Sequence, residues 1–384
     1  MRIHNLRMIH FRNYDTAELE FHNDVNIIGG ANGTGKTSIL EAIHYLCLSR
    51  SFKTVEDRVA LNWNATAFDL EGTFIVDDSS LDTGTIRSHV KISYNGTAGK
   101  VIYMDHKKVE RFSQMIGAYP VVISAPEDVA IVNGAPVDRR RFLDIALSQL
   151  YPTYLRDLQD YRKIVRQRNT LLNTEPFQDD TLYSWDSTLI ATGTRITAQR
   201  IRFVQSFAPL VERMYHQISG KQETVRLLYR SSMDNYGPVE AVTETNRSEE
   251  SLATAFREAL KKNRSREILR KTTLVGPHKD DLLLMMNNKL LRDYGSQGQF
   301  KTLAVAVKIA EYLFLLAHKD QKPILLLDDV FSELDESRRA ALMESFSETG
   351  QVFLTTAQTE PNITLSRPVK YFHVAANGIE ARMN

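Results

Sequence analysis

Gly30-Ala31-Asn32-Gly33-Thr34-Gly35-Lys36-Thr37 decides the fold. The octapeptide fits G-x-x-x-x-G-K-[ST] without a mismatch, and it follows an aliphatic run at 25–28 that reads as a strand. Beyond it, apolar residues at 39, 40, 43 and 46 recur at helical spacing, so a helix is predicted from Thr37 to about Leu48. Glycines let a loop fold so that successive N–H groups point at one anion, and the following helix adds its positive dipole end there. In such a loop Lys36 reaches the β and γ phosphates of ATP, and the Thr37 hydroxyl holds Mg²⁺. Gly30 to Thr37 and the adjoining Ser38 are therefore the candidate ATP-binding residues. An ordinary glycine turn with a solvated lysine would not need the strand before and the helix after.

The other half of a phosphate site stands about 290 residues later, at Pro323-Ile324-Leu325-Leu326-Leu327-Asp328-Asp329. Four consecutive aliphatics suit a central parallel strand covered on both faces. Two carboxylates at its end face the crevice where open α/β sheets collect ligands. Asp328 is the candidate Mg²⁺ ligand with Thr37, and Asp329 the candidate that orients or deprotonates the attacking water. Just ahead of this strand, Tyr294-Gly295-Ser296-Gln297-Gly298-Gln299 opens a helix predicted at about 298–318. It resembles the signature segment of ABC-type ATPases, in which a serine and glycine at a helix N-terminus meet the γ-phosphate held by the opposite subunit. Ser296, Gly298 and Gln299 join the candidate nucleotide-binding set on that resemblance. Glu333-Leu334-Asp335 falls at the spacing of the D-loop of the same class. Where that class carries a switch histidine, after a strand at 352–354, this chain has Thr355-Thr356.

Around these motifs the pattern runs sheet, helices, sheet. Short strands are predicted at 66–76, 87–94, 100–104 and 121–124. From Arg139 to Gln217 glycine is scarce and apolar residues fall at helical spacing, as in Leu155, Leu158, Tyr161 and Val165. Residues 231–250 read as a polar exposed connection, and a helix follows at about 251–269. The expected fold is an α/β P-loop ABC-type ATPase head with a mainly helical second lobe inserted. The expected boundaries are 1–132 for the first part of lobe I, 133–300 for lobe II and 301–384 for the rest of lobe I. The helices of the insertion read as short, with no heptad array.

Composition excludes more than it assigns. The chain has 384 residues, 42% hydrophobic and 25% charged, as folded globular proteins do. The single cysteine, Cys47, permits no internal disulfide, which fits a reducing cytoplasm. The N-terminal stretch breaks its apolar residues every two or three positions, unlike a secretory signal, and no apolar run is long enough to span a membrane. A net charge of +1 supplies no global field for nucleic acid, so any DNA surface must be local.

Six further segments bring a family into view. They are Phe11-Arg12-Asn13-Tyr14, Ser49-Arg50-Ser51-Phe52, Ala125-Pro126-Glu127-Asp128, Arg139-Arg140-Arg141-Phe142-Leu143-Asp144, Gly276-Pro277-His278-Lys279-Asp280-Asp281 and Asp328-Asp329-Val330-Phe331-Ser332-Glu333-Leu334-Asp335. In this order, from residue 1 to about 360, the chain resembles the RecF family of bacterial DNA-repair ATPases. The resemblance implies a homodimer that forms with ATP, each phosphate site completed by the signature of the other copy. It implies slow hydrolysis acting as a switch, with aspartate rather than glutamate as the second acid. It also implies a clamp on duplex DNA near single-strand gaps, action with RecO and RecR, and indirectly RecA loading and the SOS response. The Pro-Glu-Asp stretch lacks the glutamine with which many ABC ATPases touch the metal, and no metal contact is assigned there.

Candidate DNA contacts come from local charge. Residues 138–168 hold eight Arg/Lys against four Asp, and residues 257–271 hold seven against two Glu. Arg139, Arg140, Arg162, Arg166, Lys261, Lys262 and Arg264 are the candidates from these stretches, with Arg50 after the P-loop helix. The alternative is a solvated helix face, or arginines paired with acids inside the insertion. Three rival readings apply to the whole chain. A transporter ATPase subunit would carry Leu-Ser-Gly-Gly-Gln and a switch histidine. An SMC- or RecN-like head would carry long heptad arms. An ATP-gated DNA-binding module with negligible turnover could use the same residues.

Overall fold

The protein is described by a computed structural model, for all residues except 79–83, 175–178, 221–222, 235–246, 334–337, 340–341, 343–348, 358–366, 376–377 and 384. The chain divides into two compact units, the first made of residues 1–128, 217–221 and 304–384, the second of residues 129–216 and 222–303.

The first unit is built on two sheets. One has the order β2 (Tyr14–Glu20), β1 (Arg2–Phe11), β4 (Ala67–Asp77), β5 (Thr85–Asn95), β6 (Gly99–Met104) and β7 (Lys107–Lys108), antiparallel throughout. In β1 the inward residues are Ile3, then Leu6 and Met8. That change of phase coincides with a register shift between Ile3 and Asn5 against β4, since one extra residue exchanges the two faces of a strand.

The second sheet has the order β15 (Gly378–Met383), β14 (Val369–Ala375), β3 (Val25–Gly29), β13 (Val352–Thr356), β12 (Ile324–Leu327) and β8 (Val121–Ser124). All its pairings are parallel except β14 with β15. Every residue of β3, β8, β12 and β13 is buried, as expected of parallel strands covered on both faces. Helix α1 (Lys36–Leu48) packs against strands of both sheets, which explains why it is apolar on nearly all sides. Ile39, Leu40, Ala42, Ile43, Tyr45 and Leu46 are all fully buried.

The second unit holds α2 (Val129–Asn133), α3 (Pro136–Leu150), α4 (Pro152–Leu172), most of α5 (Asp179–Ser219), α6 (Glu249–Arg270), α7 (Leu291–Tyr294) and the first turns of α8 (Gln297–His318). A small antiparallel sheet joins them, in the order β11 (Lys289–Leu290), β10 (Asp281–Met286) and β9 (Val225–Arg230). Pro136 and Pro152 start their helices, where a missing N–H costs nothing. The expectation of short helices is corrected by α5, which runs for 41 residues through Gly193 and Pro209. Gly193 is there for packing: an added Cβ would lie 2.5 Å from the Phe256 ring. Of the polar connection expected at 231–250, residues 235–246 lie outside the described residues.

Candidate nucleotide site

The site forms at the C-terminal ends of three adjacent parallel strands. The glycine loop leaves β3, the acidic pair leaves β12, and β13 lies between them. Register aligns Thr355 with Ile28, and Leu354 with Leu327, so Thr355 stands next to last in the middle strand, beside both motifs. This is where parallel α/β sheets collect ligands.

Within the loop, Gly30 has φ 149° and Gly35 φ 109°, conformations that side chains disfavour. An added Cβ at Gly30 would lie 2.2 Å from the Val374 carbonyl oxygen, and one at Gly35 would lie 2.5 Å from the Asn13 amide nitrogen. The glycines are thus required by the cradle itself. Lys36 is buried, and its ammonium donates to the carbonyls of Gly30 and Ala31, both at 2.7 Å. Burial lowers its pKa, against the raising effect of Asp329 and Asp328.

Asp328 is the centre of the acidic half. Its Oδ1 accepts from the Thr37 hydroxyl at 2.9 Å and from the Thr355 hydroxyl at 2.8 Å. Thr355 Oγ1 in turn accepts the backbone N–H of Asp329 at 2.9 Å. Asp329 has φ 52°, a left-handed conformation that an aspartate tolerates better than most residues. Burial raises the Asp328 pKa and nearby Glu127 adds to the rise, while the two threonine hydrogen bonds and Lys53 oppose it. A threonine hydroxyl and a carboxylate are hard oxygen donors, the kind Mg²⁺ takes together with substrate phosphates. These residues and Glu127 line one cavity of about 1050 Å³, ample for a nucleoside triphosphate.

The turn between β1 and β2 holds the loop from behind. Asn13 Nδ2 donates to the Thr34 carbonyl at 3.0 Å, and Ser38 Oγ donates to Asn13 Oδ1 at 3.2 Å. Arg12 grips buried Glu41 of α1 through Nε at 2.9 Å and Nη2 at 2.5 Å, and donates from Nη1 to the Val59 carbonyl. The Arg-Asn-Tyr segment was legible only as part of a resemblance; no local pattern in it predicts a brace on the phosphate loop.

The signature segment lies in the second unit. Ser296 and Gln299 cap α8 reciprocally: the Gln299 N–H donates to Ser296 Oγ at 3.3 Å and the Ser296 N–H to Gln299 Oε1 at 2.8 Å. Gln299 Nε2 also donates to Glu223 at 2.8 Å. Ser296, Gln297 and Gly298 are exposed. A Cβ at Gly298 would meet nothing within 4 Å, whereas one at Gly295 would lie 2.4 Å from Phe300. Leu334 and Asp335 of the D-loop lie outside the described residues.

The candidate DNA contacts separate by exposure. Arg139 is corrected: its side chain is 2% exposed and donates to both oxygens of Asp281, at 2.7 and 3.1 Å, so it faces the interior of its unit. Arg140 is half-buried, with Nη1 on the Asp280 carbonyl at 2.8 Å. Arg162 is exposed but pairs with Asp144 at 3.0 Å, and Arg264 is half-buried on Asp186 at 2.9 Å. Arg50, Arg166, Lys261 and Lys262 are exposed. His278 has both ring nitrogens engaged, with Tyr161 Oη at 2.7 Å and the Thr273 carbonyl at 3.2 Å. Among the described residues, no helix is long and apolar enough to cross a membrane.

A glycine cradle and an acidic pair at the C-terminal edge of a parallel sheet define a P-loop nucleotide-binding head. Consistent with that class, a family model described as an AAA domain matches residues 5–339. The chain is 38% identical to the DNA replication and repair protein RecF of Chloroherpeton thalassium, over 93% of this chain and 95% of that one. It is 36% identical to RecF of Streptococcus gordonii, over 99% and 100%. The chain belongs to the RecF family of DNA replication and repair proteins. A solved structure of the recombination mediator protein RecF-ATP in the RecFOR pathway is similar, with a TM-score of 0.87, 27% identity and coverage of 99% of this chain and 97% of that one. An SMC head bound to the winged-helix domain of ScpA shares the fold, with a TM-score of 0.55 and 12% identity.

Proposed function

We propose that this chain binds MgATP at the Gly30–Ser38 loop, hydrolyses it slowly, and uses the bound state to close a homodimer on duplex DNA. The observation that carries the reading is the hydrogen bond between Thr37 and Asp328, two hard oxygen ligands 291 residues apart in sequence and joined at one cavity edge. MgATP, when bound, would supply the phosphoryl group and the cation that these two oxygens would hold. In the proposed cycle Lys36 exchanges its loop carbonyls for phosphate oxygens, Thr37 and Asp328 hold the cation, and Asp329 orients the attacking water.

Dimerisation is proposed through the α8 N-terminus. Its exposed Ser296–Gly298 edge presents a helix dipole, and Gly298 has open space where its own fold would accept a side chain. A phosphate bound by a second copy would account for both, in an isologous arrangement. Solved RecF relatives are named with ATP and with the RecFOR pathway, which supports a parallel role here with RecO and RecR near single-strand gaps, upstream of RecA loading and the SOS response. Lys261, Lys262, Arg166 and Arg50 are the proposed phosphate contacts.

The test is duplex DNA binding by anisotropy with and without MgATP across a salt series. Wild type should bind more tightly with MgATP and show a negative salt slope, about −0.9 per phosphate contacted. Lys36→Ala should lose the nucleotide effect. DNA affinity indifferent to MgATP in the wild type would contradict the reading.

A further inference from the structure

The residues that grip phosphate and metal occupy only part of the cavity. The same cavity is also lined by a short 3₁₀ turn at Asp57–Ala60 and the segment after it, through Val59 of the turn and Leu61 and Trp63 beyond it. Trp63 is 97% exposed, an unusual state for a residue that normally buries most of its surface. The backbone just ahead of it is anchored. The Arg12 N–H donates to the Ala60 carbonyl at 2.8 Å, the Asn62 N–H to the His10 carbonyl at 3.0 Å, and Asn62 Nδ2 to Asp15 Oδ1 at 3.1 Å. Phe11 and Leu61 form an isolated antiparallel bridge.

All these anchors lie on the β1–β2 turn and its flanks, the same turn whose Asn13 braces Thr34 and Ser38 of the phosphate loop. One rigid turn therefore fixes the indole-bearing segment relative to the loop that holds the phosphates. We infer that Trp63 is the base-stacking residue of the nucleotide site, its indole face covering the adenine ring of a triphosphate held at Lys36. An aromatic plane on a fixed backbone, open to solvent within the same cavity, offers what a heterocyclic base lacks at the phosphate end: apolar area and a π-face. This inference rests on the proposed MgATP site.

The experiment separates the two. In Trp185→Phe protein Trp63 is the sole tryptophan, and MgATP should change its emission at the concentrations at which calorimetry detects binding. Trp63→Ala should weaken MgATP about tenfold or more and leave inorganic tripolyphosphate affinity within about twofold, while Trp63→Phe should stay within about threefold of wild type for MgATP. Lys36→Ala should lose both ligands. Unchanged Trp63 emission together with wild-type MgATP affinity in Trp63→Ala would overturn the stacking role and leave the MgATP site standing. Loss of DNA binding or dimerisation in Trp63→Ala at unchanged MgATP affinity would overturn it as well, in favour of a macromolecular contact. Absence of MgATP binding in the wild type would remove the underlying site.

Discussion

Thr355 donates its hydroxyl hydrogen to Asp328 Oδ1 at 2.8 Å, and the same oxygen atom of Thr355 receives the Asp329 N–H at 2.9 Å. One side chain thus sets the carboxylate proposed for the cation and the backbone that carries the carboxylate proposed for water. It stands on the strand between the phosphate loop and the acidic pair, in the region where the ABC class usually places its switch histidine.

Replacing that hydroxyl should affect turnover more than binding. Thr355→Val leaves the Asp329 N–H and one Asp328 lone pair without their partner, a cost on the order of 1–3 kcal/mol. We expect hydrolysis to fall about tenfold or more with MgATP affinity within about threefold, because the loop and Lys36 still hold the phosphates. Thr355→Ser should recover most of the rate. Steady-state kinetics paired with calorimetry decides, and equal losses in rate and affinity would point to general collapse of the site instead.

Arginines counted together by local charge should behave in opposite ways. Arg139→Ala removes one partner of a buried ion pair with Asp281 and should destabilise the protein by about 3–5 kcal/mol. Lys261→Glu with Lys262→Glu, both at exposed positions, should leave stability within about 0.5 kcal/mol of wild type per substitution. The double variant should nonetheless bind duplex DNA more weakly and with a shallower salt slope. Urea denaturation and anisotropy on the same samples test the contrast; a stable Arg139→Ala with weakened DNA binding would reverse it.

Stability should fall in mild acid because of His278. Burial lowers its pKa from the ordinary 6.5 to about 4, with the Thr273 carbonyl opposing and Lys279, Arg140 and Arg168 adding to the depression. The folded ring stays neutral while the unfolded ring takes up a proton below about 6.5, so protonation favours unfolding. The loss begins as pH drops through 6.5 and levels off below about 4. Between pH 7.5 and pH 5 it should amount to about 2 kcal/mol. Denaturation curves at the two values for wild type and His278→Gln check this; an equal acid loss in the variant would assign it to other groups.

What could be read from the sequence was local in chain and dense in signal. The strand, glycine loop and helix at 25–48 are contiguous, and each element there demands the next. The aliphatic run at 324–327 needed no partner to be read as a buried parallel strand. Thr355 was visible only as a threonine where a histidine is usual, because its role depends on β13 lying between β3 and β12, a register that no single segment encodes. For Arg139 the sequence leaves two readings open, a DNA contact or a pair with an acid inside the insertion, because counting charge cannot separate an arginine that faces Asp281, 142 residues away, from one that faces water. The insertion reads as short helices, and α5 runs for 41 residues, with Gly193 inside it where Phe256 approaches the helix. Trp63 carried no sequence signal, since an exposed tryptophan is distinguishable from a buried one only in the fold.

Sedimentation velocity with and without MgATP and duplex DNA tests the central claim most directly, on wild type, Lys36→Ala, Asp329→Asn and Ser296→Arg. The account predicts a dimer in wild type only when MgATP is present, none in Lys36→Ala, a persistent dimer in Asp329→Asn, and a monomer that still binds MgATP in Ser296→Arg. Wild-type protein that stays monomeric at saturating MgATP and high concentration, with or without duplex, would contradict it.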